Sequence, residues 1–199
     1  MNERSFSGIP RTMNKKERIF DAAHDILAEQ GFHGLSIAMV AKQAKVATGT
    51  IYRYFSDKED LIRQLYRHTI MGCREQILND VNIEETSFEQ YRQLWLNIHH
   101  IFTSDPNAII CKLQYECSPL ASELERDPVI MALWEPLDRF FERGRITGLF
   151  IDLPLRVLQS LSLDSVALLL QQCRGHKLTL TDTQQEAVIR ASWQAILQP

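Results

Sequence analysis

The stretch between residues 14 and 60 constrains the fold most, because it contains three helix signals joined by very short connections. The segment Lys15–Gln30 carries its apolar residues on one helical face, and Gly31 follows it as a glycine that can end the helix. Ser36 can cap a short second helix to about residue 43. After a tight turn, a third helix is expected from about residue 48 to residue 54. This spacing predicts a helix-turn-helix.

The third of these helices has a mixed outer surface. Ile51 and Phe55 are four residues apart, so we expect both to anchor the helix in the core. The outward residues are then Thr48, Gly49, Thr50, Tyr52, Arg53 and Tyr54. Hydroxyl groups and amides at a helix N-terminus suit phosphates, and an arginine suits a phosphate or a guanine edge. Lys58 lies in the first turn of the next helix, where the dipole disfavours a cation, so it is expected to meet a phosphate.

Charge is distributed unevenly along the chain. Residues 1–58 contain nine Lys and Arg against six Asp and Glu, a net charge of +3, and the remaining residues contain thirteen against nineteen, a net charge of −6. Because DNA phosphates respond to the local potential, the total of −3 does not oppose DNA binding by the basic part. The pattern favours a DNA-reading module joined to a domain with another task.

The rest of the chain also has helical patterns, and no strand pattern competes with them. Ser56 and Glu59 predict a capping box that opens a long helix to about residue 79, and Pro136 is expected to kink or split a later helix. We therefore expect an all-α protein with a flexible arm at residues 1–13, a helix-turn-helix DNA-binding domain at 14–60 and a larger helical domain at 61–199. Either Met1 or Met13 can be the start of translation.

The chain has no apolar run of about 18 residues and no signal-peptide pattern, so we expect a cytoplasmic protein without a membrane partner. Its four cysteines have none of the usual spacings of metal or redox pairs. In a reducing compartment they are expected to be free thiols.

The helix-turn-helix resembles the TetR family of bacterial regulators. The resemblance is carried by Gly31-Phe32-His33-Gly34-Leu35-Ser36, Val40-Ala41, Val46-Ala47-Thr48-Gly49-Thr50-Ile51-Tyr52-Arg53-Tyr54-Phe55 and Lys58-Glu59-Asp60-Leu61. It implies a homodimer on a palindromic double-stranded DNA operator, usually a repressor that a small molecule releases. By position, Ser36 would cap the first helix of the motif near a phosphate, residues 48–50 and 52–54 would read the DNA, and Lys58 would hold its backbone. Tyr54 stands where many members have histidine.

The larger domain offers two further candidate sites. Its last two helices, at about 154–173 and 182–197, have more apolar surface than one neighbour covers, which favours a four-helix dimer interface over ordinary core. The candidate interface residues are Leu158, Val166, Leu169, Val188, Trp193 and Ile196. The middle helices combine aromatic rings with polar tips, as a ligand pocket does, although a plain aromatic core has the same composition. The candidate pocket residues are Trp95, His99, Phe102, Cys111, Tyr115, Trp134 and Phe140.

Other functions have weaker support in the sequence. Adjacent histidines such as His99 and His100 point about 100° apart on a helix, and Cys111 and Cys117 are not a helical pair, so neither a metal nor another cofactor is expected. Cys73 beside a positive charge is a candidate redox sensor, against the commoner inert thiol. No enzyme motif occurs in the chain, so catalysis is not expected. An adaptor that binds protein through the helix-turn-helix, and an activator instead of a repressor, remain open alternatives.

Overall fold

A computed structural model describes residues 14–199, so the arm expected at residues 1–13 lies outside the described residues. Within residues 14–199 the chain is all-α, as predicted, apart from one antiparallel bridge between Phe150 and Leu197. The helices are α1 Lys15–Gly34, α2 Ile37–Ala44, α3 Thr48–Tyr52, α4 Lys58–Ile77, α5 Phe88–Ser104, α6 Pro106–Glu116, α7 Ala121–Glu125, α8 Pro128–Ile146, α9 Leu155–Leu161, α10 Ser165–Gly175 and α11 Asp182–Gln194. No described helix is long and apolar enough to cross a membrane.

Packing divides these helices into two compact units. Unit 1 contains the described residues up to Gly72 together with Ile110–Ile130, and unit 2 contains Cys73–Ile109 and Met131–Pro199. Helices α4, α6 and α8 therefore each contribute residues to both units. The sequence pattern places one boundary near residue 60, whereas the packing groups a distant segment, residues 110–130, with the helix-turn-helix.

In unit 1, α1 begins at a capping box: the Asn14 side chain accepts from the Glu17 amide and the Glu17 carboxylate accepts from the Asn14 amide. Its apolar face, including Ile19 and Ile26, is buried. Gly31 interrupts the helix with φ 70° and ψ 179°, a conformation that strongly favours glycine. One further turn follows to Gly34. The predicted break is therefore confirmed, although the segment continues beyond it.

The start of α4 differs from the predicted capping box. The Asp57 carboxylate, and not the Ser56 hydroxyl, accepts from the backbone amide three residues on, at 2.7 Å from the Asp60 nitrogen. The Asp60 carboxylate in turn accepts from the Ser56 amide at 2.9 Å. The prediction of a Ser56–Glu59 box was wrong by one residue, because aspartate caps as well as serine and the two registers overlap in the sequence.

In unit 2, α5 packs against α10 and α11 around a core of large rings that includes Tyr91, Trp95 and Phe150. The Tyr91 hydroxyl donates to the Ser192 hydroxyl at 2.8 Å, which joins α5 to α11. A Cβ atom at Gly144 would lie 2.2 Å from the Phe150 ring, so only glycine permits this close approach. Helix α8 continues through Pro136 and is not split.

Candidate nucleic-acid interface

The connection between α2 and α3 is a tight turn formed by local hydrogen bonds. The Ser36 hydroxyl accepts from the Met39 amide at 3.3 Å and so caps α2, as predicted. Lys45 ends the helix in the left-handed conformation, with φ 54° and ψ 48°. The Val46 amide then donates to the Ala41 carbonyl at 3.0 Å, which satisfies a carbonyl at the helix end. This turn sets the direction in which α3 leaves α2.

Helix α3 is anchored by the two predicted apolar residues. Ile51 is fully buried and Phe55 is almost fully buried. The Phe55 amide donates to the Ile51 carbonyl at 3.0 Å, so both side chains point to the same side of the turn. The Phe55 ring packs against Phe20 of α1, with 5.6 Å between the ring centroids. The reading helix is therefore fixed to the core of unit 1 by these contacts.

The opposite side of α3 is open to solvent. Tyr52 and Tyr54, 56% and 42% exposed, are large rings without a covering element in unit 1. Thr48, Gly49 and Arg53 are exposed and Thr50 is half-buried. All six predicted reading residues, on α3 and the turn that follows it, thus keep solvent-accessible area, and together we call them the reading surface. Their contact with DNA stays a prediction.

Gly49 has no structural reason to be glycine. A Cβ atom there meets nothing within 4 Å, and its φ is not in the left-handed region. At an exposed helical position where neither space nor backbone geometry requires glycine, replacing glycine by alanine usually stabilises the protein. The bare position fits a close approach of a DNA strand instead.

We expect Gly49→Ala to keep or raise the thermal stability, by up to about 1 kcal/mol, because alanine favours the helix. The same variant should bind DNA about tenfold more weakly, a loss of ~1.4 kcal/mol, because the methyl group occupies the contact. Melting curves and fluorescence anisotropy with labelled duplex measure the two effects. Gly175→Ala on α10, where a Cβ also meets nothing within 4 Å, is the matched control and should leave DNA binding unchanged. Equal DNA affinity in both variants would contradict this role of Gly49.

Two lysines lie over aromatic rings beside the reading surface. The Lys58 Nζ atom is 5.0 Å from the centroid of the Phe32 ring. The Lys16 Nζ atom lies 5.4 Å from the Phe20 ring and 5.7 Å from the Phe55 ring. Cation–π attraction thus helps to hold Lys58 at the start of α4, where the helix dipole opposes it. The predicted phosphate contact of Lys58 remains a prediction, and the structure adds this second reason for its position.

The candidate pocket residues do not form one group. Cys111 and Tyr115 lie in unit 1, whereas the other five belong to unit 2. Trp95 and Phe140 are fully buried in the core of unit 2, and the His99 ring stacks on Trp95 with 5.3 Å between centroids. Burial lowers the pKa of His99, so this ring is neutral at pH 7. The remaining two, Phe102 and Trp134, are half-buried against the same core.

Within the described part of unit 2, the interior contains one polar group without a partner and one small crevice. The Trp95 Nε1–H group is buried and donates to no acceptor among the described residues. A crevice of about 10 Å³ beside Trp134, lined also by Arg74 and Leu137, has room for no more than a water molecule.

Burial raises the pKa of the Cys73 thiol to about 11, so little thiolate exists there at neutral pH and a redox role gains no support. Within residues 14–199, no three His, Cys, Asp or Glu side chains gather as a metal site.

The candidate interface residues are mostly covered within one protomer. Four of the six are buried in the core of unit 2, and the other two are half-buried; the four are Leu158, Val166, Trp193 and Ile196. The exposed apolar side chains on α9 and α10 are instead Val157, Leu161 and Leu168. None of these three is among the six candidates, because apolar residues surround both helices and the sequence pattern does not tell which of them face inward.

Comparisons with known proteins agree with this fold. Residues 19–65 match the family model of bacterial regulatory proteins of the tetR family, and residues 87–197 match the model of a tetracyclin repressor-like C-terminal domain. The chain is 31% identical over 180 residues to an uncharacterized HTH-type transcriptional regulator of Haemophilus influenzae, covering 90% of this chain and 94% of that one.

Two further comparisons are with regulators from Bacillus subtilis. The chain is 30% identical over 135 residues to the fatty acid metabolism regulator protein of Bacillus subtilis, covering 67% of this chain and 70% of that one. The crystal structure of the transcriptional regulator FadR from Bacillus subtilis in complex with stearoyl-CoA has the same fold. Its TM-score is 0.69 at 23% identity, covering 91% of this chain and 97% of that one.

Proposed function

Because the chain belongs to the TetR family and is a DNA-binding transcriptional regulator, we propose that it is a repressor that binds a palindromic operator as a homodimer and leaves it when a small molecule binds. The observation that carries this proposal is the division of α3 into two sides. Ile51 is buried, whereas Tyr52, Arg53 and Tyr54 on the following turn are exposed beside a bare Gly49. An exposed set of hydroxyl, aromatic and guanidinium groups can reach both phosphates and base edges.

A two-fold dimer would present two copies of the reading surface to half-sites about 34–36 Å apart on one face of the DNA. For the contact between protomers we propose the exposed apolar side chains of α9 and α10, Val157, Leu161 and Leu168, with the half-buried Leu169 beside them. Such side chains are costly to leave in water, and a self-complementary apolar patch is what an isologous interface needs. Val188 on α11 is the candidate at the edge of this contact.

For the releasing ligand we propose a long-chain acyl compound, with stearoyl-CoA as the first to test. The fatty acid regulators to which the chain is similar support this class. Within unit 2, the core around Trp95 and Phe140 is apolar but already filled by its own side chains, so an acyl chain enters only a conformation in which the helices around this core separate. In that conformation the Trp95 Nε1–H, which has no acceptor in the described chain, could donate to an acyl oxygen. Release then follows if the ligand binds better to a conformation whose two reading surfaces do not match the operator.

The proposal is tested by measuring binding to the promoter region next to the protein's own gene, against a duplex of the same composition in scrambled order, at several salt concentrations. The repressor should prefer the promoter by at least about a thousandfold, the lower range for specific DNA binding. Stearoyl-CoA should then lower the promoter affinity, whereas free CoA should not. Equal affinity for both duplexes at every salt concentration would overturn operator binding. Release by neither compound would overturn the acyl ligand alone.

A further inference from the structure

The segment Ile110–Ile130 is packed into the DNA-binding unit although it begins 38 residues after Gly72, where the first part of that unit ends. On α6, the Cys111 thiol donates to the His24 carbonyl of α1 at 3.5 Å. One turn later, the almost fully buried Tyr115 ring lies against Tyr66 of α4, with 4.4 Å between centroids. The segment therefore touches two of the helices that hold the reading helix.

The segment also reaches the bend at the end of α1. The Gln114 Oε1 atom accepts from the Phe32 amide at 3.3 Å. The same oxygen lies 3.0 Å from the place where a Cβ of Gly31 would be. The bend that leads into α2 is thus both glycine-dependent and held by a side chain of α6.

Two ion pairs join the segment to α4 on successive turns. Arg63 Nε is 2.7 Å from a Glu123 carboxylate oxygen, and Arg67 Nε is 2.7 Å from an Asp127 carboxylate oxygen, which also accepts from the second guanidinium nitrogen of Arg67. The pairs have the same sequence separation but different surroundings. Glu123 is 56% exposed, whereas the Asp127 side chain is only 6% exposed. A buried carboxylate that loses its partner is costly, and an exposed pair contributes little.

Asp127 also begins α8. Its second carboxylate oxygen accepts from the Val129 amide at 2.9 Å, so one side chain both caps α8 and holds Arg67. Burial by itself would raise the pKa of this carboxyl, but the hydrogen bonds from Arg67 and from the Val129 and Ile130 amides outweigh burial and lower it. Asp127 is therefore charged at neutral pH, and its contribution is lost only when the pH falls below the ordinary carboxyl range.

We propose that residues 110–130 are an integral part of the DNA-binding head, and that the Arg67–Asp127 pair, here called the clasp, is the positioning contact through which this segment sets operator affinity. The clasp deepens the proposed function and rests on it. Helix α4 carries Arg67 and follows the reading helix directly, so an α4 that loses this contact no longer fixes the reading surface. Helices α6 and α8, which contribute residues to this segment, also contribute residues to unit 2.

Asp127→Asn is the test variant, because asparagine keeps the helix cap and the volume but removes the charge that holds Arg67. Glu123→Gln is its matched control on the neighbouring turn. We expect Asp127→Asn and Arg67→Gln each to weaken operator binding about tenfold, within the usual range of coupling between sites. The double variant should be no weaker than either single one. Arg67→Lys keeps the positive charge and should therefore retain most of the wild-type operator affinity. The operator affinity of Glu123→Gln should stay within about twofold of the wild type.

Hydrogen exchange of the full chain separates this proposal from the proposed function, since it needs no DNA. Amides of residues 110–130 and of the first turns of α4 should exchange together and faster in Asp127→Asn, while unit 2 keeps its protection. Unchanged exchange with unchanged affinity would overturn the clasp. A different outcome separates the two proposals: the variant exchanges faster than the wild type, but neither protein prefers the promoter over the scrambled duplex. That result would uphold the clasp as a structural contact and overturn the proposed function.

Discussion

Phe55→Ala is expected to lower the free energy of unfolding of unit 1 by about 3–5 kcal/mol, the usual cost of removing a buried aromatic ring. Phe55 is almost fully buried, packs against Phe20 and lies under the Lys16 ammonium. Its removal leaves a cavity where the end of α3 meets α1. Because a domain of this size has only about 5–15 kcal/mol of stability, the variant should melt well below the wild type in a thermal or urea denaturation.

Tyr54→Ala, at the neighbouring position, is the matched control for this change. Tyr54 is also an aromatic residue of the same turn, but 42% of it is exposed. We expect its loss to change the free energy of unfolding by less than about 1 kcal/mol. For DNA affinity the order of the two variants should reverse. Tyr54→Ala should lose more affinity than Phe55→Ala, since Tyr54 lies on the reading surface. A Phe55→Ala protein with the wild-type unfolding midpoint would contradict the anchoring role.

Arg53→Ala is expected to weaken operator binding by about 1–3 kcal/mol at each half-site if the guanidinium reads a guanine. For a dimer with two half-sites this amounts to a loss of at least about 30-fold in affinity. The stability should not change, because Arg53 is exposed. Titration of a labelled operator by anisotropy, with melting curves of the free protein, measures both quantities.

Arg53→Lys distinguishes base reading from phosphate contact. Lysine keeps the charge but not the planar pair of donors, so a phosphate contact would survive it and a bidentate base contact would not. The salt dependence gives an independent check, since each lost phosphate contact lowers the slope of log affinity against log salt by about one unit. Unchanged operator affinity in Arg53→Ala would contradict the assignment of α3 as the reading helix. It would favour the alternative in which this motif binds a protein.

The reading surface was largely predictable from the sequence because its pattern is local. Ile51 and Phe55 are four residues apart, and that spacing sets which side of a short helix faces the core. Ser36 and Gly31 act on backbone groups within a few residues of themselves, so their roles also follow from the chain order. The Ser56 capping prediction failed for a related reason: Asp57 offers an equivalent cap one residue later, and the local sequence does not choose between them.

The C-terminal candidates were less predictable, because their environment depends on distant elements. Val157 and Leu158 are adjacent aliphatic residues of α9, yet Leu158 is fully buried and Val157 is exposed. Similarly, Trp95 and Tyr115 both look like pocket residues in the sequence, but they lie in different compact units. A surplus of apolar residues indicates that two faces are covered, without telling which face meets which neighbour.

The sequence by itself determined the all-helical architecture, the position of the helix-turn-helix and the residues that point outward from α3, since these depend on helical periodicity and capping over a few residues. Only the tertiary structure decided that Ile110–Ile130 belongs to the DNA-binding unit and that Asp127 holds Arg67. The physical reason is that a contact between residues sixty positions apart comes from the packing of whole helices, and no local pattern encodes it.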